Sequence, residues 1–137
     1  MIYLDTCVIV SAIDELDPNH SKALKLLAEL GNEERVVSKL TLVELASVFT
    51  RAGLDKPLAL AIYAIRRVGA KIIDLDFDEV LNQAFRYAYE LRLRTLDLLH
   101  VVSCKIAGAT RFATFDRDIV SKSVHIRRVL GIDIVSL

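Results

Sequence analysis

The feature that most constrains this chain is an alternation of short, apolar, strand-type runs with longer segments of helical spacing. Ile2-Tyr3-Leu4, Arg35-Val36-Val37-Ser38, Lys71-Ile72-Ile73-Asp74, Arg111-Phe112-Ala113-Thr114 and Ile132-Asp133-Ile134-Val135 read as strands. Thr6 is placed to cap a helix running to about Ile13. Beyond the Asp17-Pro18-Asn19 break, Ser21 to Leu30 keeps apolar residues at Ala23, Leu24, Leu27 and Leu30. Thr41 opens a further helix, with Leu42, Leu45, Val48 and Phe49 on its buried face. Leu54 to Val68 is apolar on nearly every side, and Asp78 starts a helix through Val80, Leu81, Ala84, Ala88 and Leu91. Thr95 caps one more, with Leu98, Leu99, Val102 and Ile106 inward and Gly108 at its end. This order predicts an α/β fold with a mainly parallel central sheet of about five strands, covered by helices.

At 137 residues, without repeats or linker-like stretches, the chain reads as one domain spanning 1–137. Its residues are 53% hydrophobic, yet no stretch reaches the roughly 18 uncharged residues of a membrane span. The longest apolar run, Pro57 to Ile65, stops at Arg66-Arg67. No basic segment precedes the first apolar residues, so the expectation is a cytoplasmic protein without a signal peptide. With 18 basic and 18 acidic residues, any nucleic-acid partner must be held by a local field. Cys7 and Cys104 lack metal or redox spacing and read as free thiols in a reducing compartment.

Where the acids fall on this map matters most. Asp5 ends the first strand and Asp116 follows the fourth. Glu44 and Asp97 are assigned to the first turns of the Thr41 and Thr95 helices. In an open parallel sheet, strand C-termini and the following helix N-termini share one edge, where ligand crevices lie. Each acid also has a plain structural explanation. Thr41-Leu42-Val43-Glu44 fits a capping box, Asp97 gains from a helix dipole, and Asp5 and Asp116 suit turns or caps. The same explanation has to hold four times on one edge, with only Lys39 and Arg117 as candidate cations there. Clustered carboxylates raise one another's pKa unless something neutralises them. A hard divalent ion such as Mg²⁺ or Mn²⁺ suits oxygen ligands of this kind.

Four segments carry a family resemblance: Tyr3-Leu4-Asp5-Thr6, Ser38-Lys39-Leu40-Thr41-Leu42-Val43-Glu44-Leu45, Arg94-Thr95-Leu96-Asp97-Leu98-Leu99-His100 and Ala113-Thr114-Phe115-Asp116-Arg117-Asp118. In this order and at this spacing the chain resembles the PIN-domain nucleases, particularly the VapC-like toxins of toxin–antitoxin pairs. The resemblance implies a Rossmann-like sheet, Mg²⁺ or Mn²⁺ dependence, RNA cleavage, a homodimer and inhibition by a small VapB-like antitoxin. Cys7 departs from the pattern, which usually has Asn or Ser after Asp-Thr. A thiol suits a hard cation poorly, and Cys7 is expected to pack as a small hydrophobe.

On this reading Asp5 and Asp97 are direct metal ligands and Asp116 completes or enlarges the site. Glu44 takes a second ion, holds a water on the metal or serves as general base. Thr6 and Thr114 are candidate hydroxyl neighbours, and Lys39, Arg94 and Arg117 candidate grips on the RNA backbone. Asp118 reads as a helix cap, and His100, one turn beyond Asp97, as a core or supporting histidine. A haloacid-dehalogenase-like phosphatase fails because Cys7 stands where its second Asp belongs. A phospho-receiver fails because no late-strand Lys can be placed to serve Asp74 or Asp76. The remaining alternative is a nuclease-like module that binds RNA or protein without cutting.

Overall fold

The computed structural model describes residues 1–137. Five strands form one sheet: β1 (Ile2–Leu4), β2 (Arg35–Ser38), β3 (Ala70–Ile73), β4 (Arg111–Ala113) and β5 (Asp133–Val135). Eight helices connect them: α1 (Thr6–Ile13), α2 (His20–Glu29), α3 (Lys39–Arg51), α4 (Pro57–Arg67), α5 (Phe77–Leu91), α6 (Thr95–Ile106), α7 (Arg117–Ser121) and α8 (Ser123–Leu130). The spatial order is β3-β2-β1-β4-β5 and every neighbouring pair is parallel. The expected α/β class is therefore observed.

Alternation along the strands divides the core. Tyr3, Val36 and Phe112 point into a layer completed by Val80, Leu98, Val101, Ile119 and Ile126. Ile2, Leu4, Val37 and Ala113 point the other way, against Val8, Leu26, Leu45, Ala61 and Ile65. Burial on both faces explains why these strands read as continuous apolar runs. From β1 the chain winds outward through β2 and β3, then crosses back to β4 and β5. The order thus reverses between β1 and β4, opening a crevice beyond their carboxyl ends.

Several local expectations need correction. Thr6, Thr41 and Thr95 cap nothing. Asp5, Ser38 and Arg94 hold the N-cap positions of α1, α3 and α6. Ser38 both ends β2 and caps α3, its Oγ accepting from the Leu40 N–H at 3.3 Å. Helix α3 therefore begins at Lys39, and Glu44 lies in its second turn, outside any capping box. Asp118 is not a cap either, since Asp116 caps α7. Helix α4 starts at Pro57, whose fixed φ and missing N–H suit a first turn. Its Ile65 is 1% exposed and belongs to the core, whereas Leu58 and Tyr63 remain outside.

Candidate active site

Four acids, Asp5, Glu44, Asp97 and Asp116, line one cavity of about 410 Å³ at this crevice. Asp17, which the sequence reading passed over, lines it too; its Oδ1 accepts from Ser11 Oγ and the Asn19 N–H. Asp5 hangs off β1 and is 7% exposed. Its Oδ2 accepts from Thr114 Oγ1 at 2.6 Å and Cys7 Sγ at 3.4 Å. Cys7 is thus more than a packing residue: it lies beneath Asp5, and its sulfur also accepts from the Phe115 N–H at 3.5 Å. Burial and the Asp5 charge push its thiol up to about 12, which leaves it no nucleophile.

Burial raises the Asp5 carboxyl above its ordinary value, with the Glu44 charge adding to the effect against the bonds from Thr114 and Cys7. Asp97 is pushed up to about 6, first by burial and then by the charges of Asp116 and Asp5. The acids therefore sense one another, as a shared site requires. Arg94, unlike Lys39, is the cation among them. Its Nε stands 3.7 Å from Asp97 Oδ2 and its Nη2 3.6 Å from Asp116 Oδ2, on a side chain 76% exposed. Lys39 instead pairs with Asp74 at 2.9 Å. Asp116 also keeps its structural role, its Oδ1 accepting from the N–H groups of Asp118 and Ile119 at 2.9 and 3.2 Å.

Glu44 is held differently. Its Oε1 accepts from Thr6 Oγ1 at 3.0 Å and pairs with His100 Nε2. Burial alone would raise this carboxyl; the bonds from His100 and Thr6 outweigh it and hold Glu44 below its ordinary value. Behind Glu44 runs a buried chain. His100 Nδ1 is 3.0 Å from the Tyr3 hydroxyl, which is 2.8 Å from Ser38 Oγ. One consistent assignment has Ser38 donating to Tyr3, Tyr3 to Nδ1, and Nε2–H to Glu44. His100 is 1% exposed, and Tyr3 stacks on Phe112 with ring centroids 5.5 Å apart. His100 thus supports Glu44 from behind.

No three acids, histidines or cysteines close into a ready-made ion cage. Mg²⁺, however, normally keeps several waters and needs only one or two protein carboxylates. Asp97 Oδ2 is buried and makes no hydrogen bond; its one cationic neighbour is the exposed Arg94 guanidinium at 3.7 Å. The donor set is hard oxygen, and the residues fit a hydrated divalent ion.

The PIN domain family model matches residues 2–124, and the chain belongs to that family. No curated protein matches its sequence. Among solved structures it resembles VapC20 of Mycobacterium tuberculosis, described as a sarcin-ricin-loop-cleaving toxin. That match has 19% identity and a TM-score of 0.70 over 88% of this chain and 94% of that one. VapBC2 of Rickettsia felis, bound to a promoter DNA fragment, matches at 20% identity and a TM-score of 0.65, covering 100% and 99%. VapBC-1 of nontypeable Haemophilus influenzae matches at 19% and 0.64, covering 99% and 98%. At these identities the likeness speaks for the fold. No helix is long and apolar enough to cross a membrane.

Proposed function

We propose that the chain is a Mg²⁺- or Mn²⁺-dependent endoribonuclease, the toxin of a toxin–antitoxin pair. The observation that carries the chemistry is the convergence of Asp5, Glu44, Asp97 and Asp116 on one cavity, with a buried carboxylate oxygen on Asp97 that makes no hydrogen bond. Membership of the PIN family, together with VapC and VapBC structures sharing the fold, supports the toxin assignment. Asp5 and Asp97 would hold the ion, and Asp116 would complete the site with the Oδ2 that its capping of α7 leaves free. When bound, the ion supplies positive charge to the scissile phosphate and makes water more acidic. Thr114 and Cys7 fix the Asp5 carboxylate by hydrogen bonding one of its oxygens. Glu44, ionised and oriented by Thr6 and His100, accepts the proton of the attacking water. Arg94, exposed beside Asp97 and Asp116, would be within reach of the phosphate of a bound strand.

Purified protein should cut single-stranded RNA in Mn²⁺, stop in EDTA and resume when the ion is restored. Failure to cut any RNA under these conditions, by a folded protein, would leave the non-cleaving binding module as the better reading. A VapB-like antitoxin and a homodimer complete the proposal. Light scattering of the chain alone, and with the product of its neighbouring gene, checks both. A monomer that ignores the neighbouring product would remove the toxin assignment while leaving the nuclease intact.

A further inference from the structure

A second cleft of about 620 Å³ lies between the C-terminal end of α5 and the start of α8. Arg92, Lys122, His125 and Arg128 line it with Tyr89, and Glu90 is its one carboxylate. That excess of positive charge stands out in a chain of net charge zero. Part of it has a structural explanation. Lys122 Nζ donates to the Arg92 carbonyl at 2.5 Å and His125 Nε2 to the Glu90 carbonyl at 2.6 Å, so both serve the end of α5. Arg92 and Arg128 have no such duty. Neither pairs with a carboxylate; Arg92 lies over the Tyr89 ring at 5.4 Å, and Arg128 donates one bond to His125 Nδ1 at 2.9 Å. Their remaining N–H groups are available to an anion. Helix α8 also begins here without a side-chain cap, leaving first-turn N–H groups open to negative charge.

The residues that line the cleft are tied to the acids by short stretches of chain. Arg92 is two residues from Arg94, which touches Asp97 and Asp116. On the other side only α7, five residues and about 8 Å long, separates Asp116 from Lys122. We propose that this cleft holds the phosphate backbone of the RNA strand leaving the catalytic acids, with Tyr89 and its neighbouring guanidinium as a stacking surface for a base. The proposal rests on the ribonuclease reading for its substrate and adds where the strand runs. An acidic catalytic cavity repels a polyanion away from its ion, so binding energy has to come from cations beside it. Flat aromatic and guanidinium faces take bases without sequence preference.

The test compares wild type with Arg92→Gln/Arg128→Gln and with Tyr89→Ala, all at exposed side chains, using a fluorescein-labelled 12-nucleotide single-stranded RNA. Binding is read in EDTA and cleavage in Mn²⁺. The double variant should bind roughly tenfold more weakly at low salt. Its slope of log affinity against log salt should shrink by roughly 1.4, the value for two single-strand phosphate contacts. KM should rise while kcat stays within about twofold, because the reacting atoms are untouched. Tyr89→Ala should weaken binding without changing the salt slope. Unchanged binding and slope in the double variant, with wild type cutting RNA, would overturn the cleft alone. A wild type that binds but does not cut would overturn the nuclease reading and keep the cleft; one that does neither would overturn both. If the substitutions instead dissociate a dimer in light scattering and leave RNA affinity per chain unchanged, the surface belongs to a second copy and the proposal is wrong.

Discussion

Asp97→Asn should make the metal-free protein more stable at neutral pH while removing its cleavage of RNA. Burial and the charges of Asp116 and Asp5 raise the Asp97 carboxyl from 3.8 to about 6. A raised carboxyl favours folding in its protonated form. Its contribution is fully present below the unfolded value near 3.8 and is lost as pH rises through about 6. At pH 7.5 the ionised group therefore opposes folding by roughly 2 kcal/mol, after allowance for solvent at a partly exposed side chain. Neutralising it should raise the apo melting temperature by several degrees at pH 7.5, and the advantage should vanish near pH 4. Asp5, raised in the same direction, should behave similarly. Cleavage should fall on the order of 10³-fold, because the ion's charge is worth several kcal/mol and each 1.4 kcal/mol or so is a factor of ten. Melts across pH 4–8 check the first half. A destabilised Asp97→Asn protein at pH 7.5 would mean that the carboxylate is a structural helix-end residue instead.

His100→Leu should act in the opposite sense on stability. The ring joins Tyr3 to Glu44, and Tyr3 in turn joins Ser38. Leucine fills much of the space but leaves the Tyr3 hydroxyl bonded to Ser38 alone and Glu44 to Thr6 alone. Losing two hydrogen bonds of this kind, one of them to a charged group, should cost about 3 kcal/mol. Activity should drop by roughly 10–100-fold, the usual effect of losing a group that orients a reacting one. Tyr3→Phe removes the middle link, with its bonds to His100 and Ser38, but spares the His100–Glu44 contact, and should lose about 1–2 kcal/mol. His100→Gln can restore a donor towards Glu44 and should recover part of the activity without all of the stability. Denaturant melts and kcat for these variants check the series. Equal activity in His100→Leu and wild type would show that Glu44 needs no support from behind.

The fold was legible in the sequence because parallel strands buried on both faces leave continuous apolar runs. Arg35–Ser38 matches β2 to the residue. Asp5 and Asp116 could be placed on the crevice edge because Asp5 directly follows β1 and Asp116 lies just beyond β4. Glu44 was misplaced for a physical reason: Thr41-x-x-Glu44 imitates a capping box, while Ser38 ends the strand and caps the helix with no loop between. The His100–Tyr3 link was hidden because Tyr3, at the centre of an apolar strand, looks like core. Only the pairing of β1 with its neighbours shows its hydroxyl reaching from Ser38 to α6. Arg94 was read as a grip on RNA, but its pairing with Asp97 and Asp116 was hidden because it precedes a helix and nothing local marks it as facing two acids. Of α7 only a cap at Asp118 was read, two residues late, and α8 was not assigned, since Lys122 interrupts the apolar pattern.

The most direct measurement is the cleavage rate of one defined single-stranded RNA, titrated with Mn²⁺, for wild type, Asp5→Asn and Asp97→Asn, each shown to be folded by its melt. The account predicts a saturating, chelator-sensitive rate for wild type and a loss on the order of 10³-fold in both variants, even at high Mn²⁺. Equal rates in the variants, or full wild-type activity in EDTA by protein shown to be metal-free by elemental analysis, would contradict it.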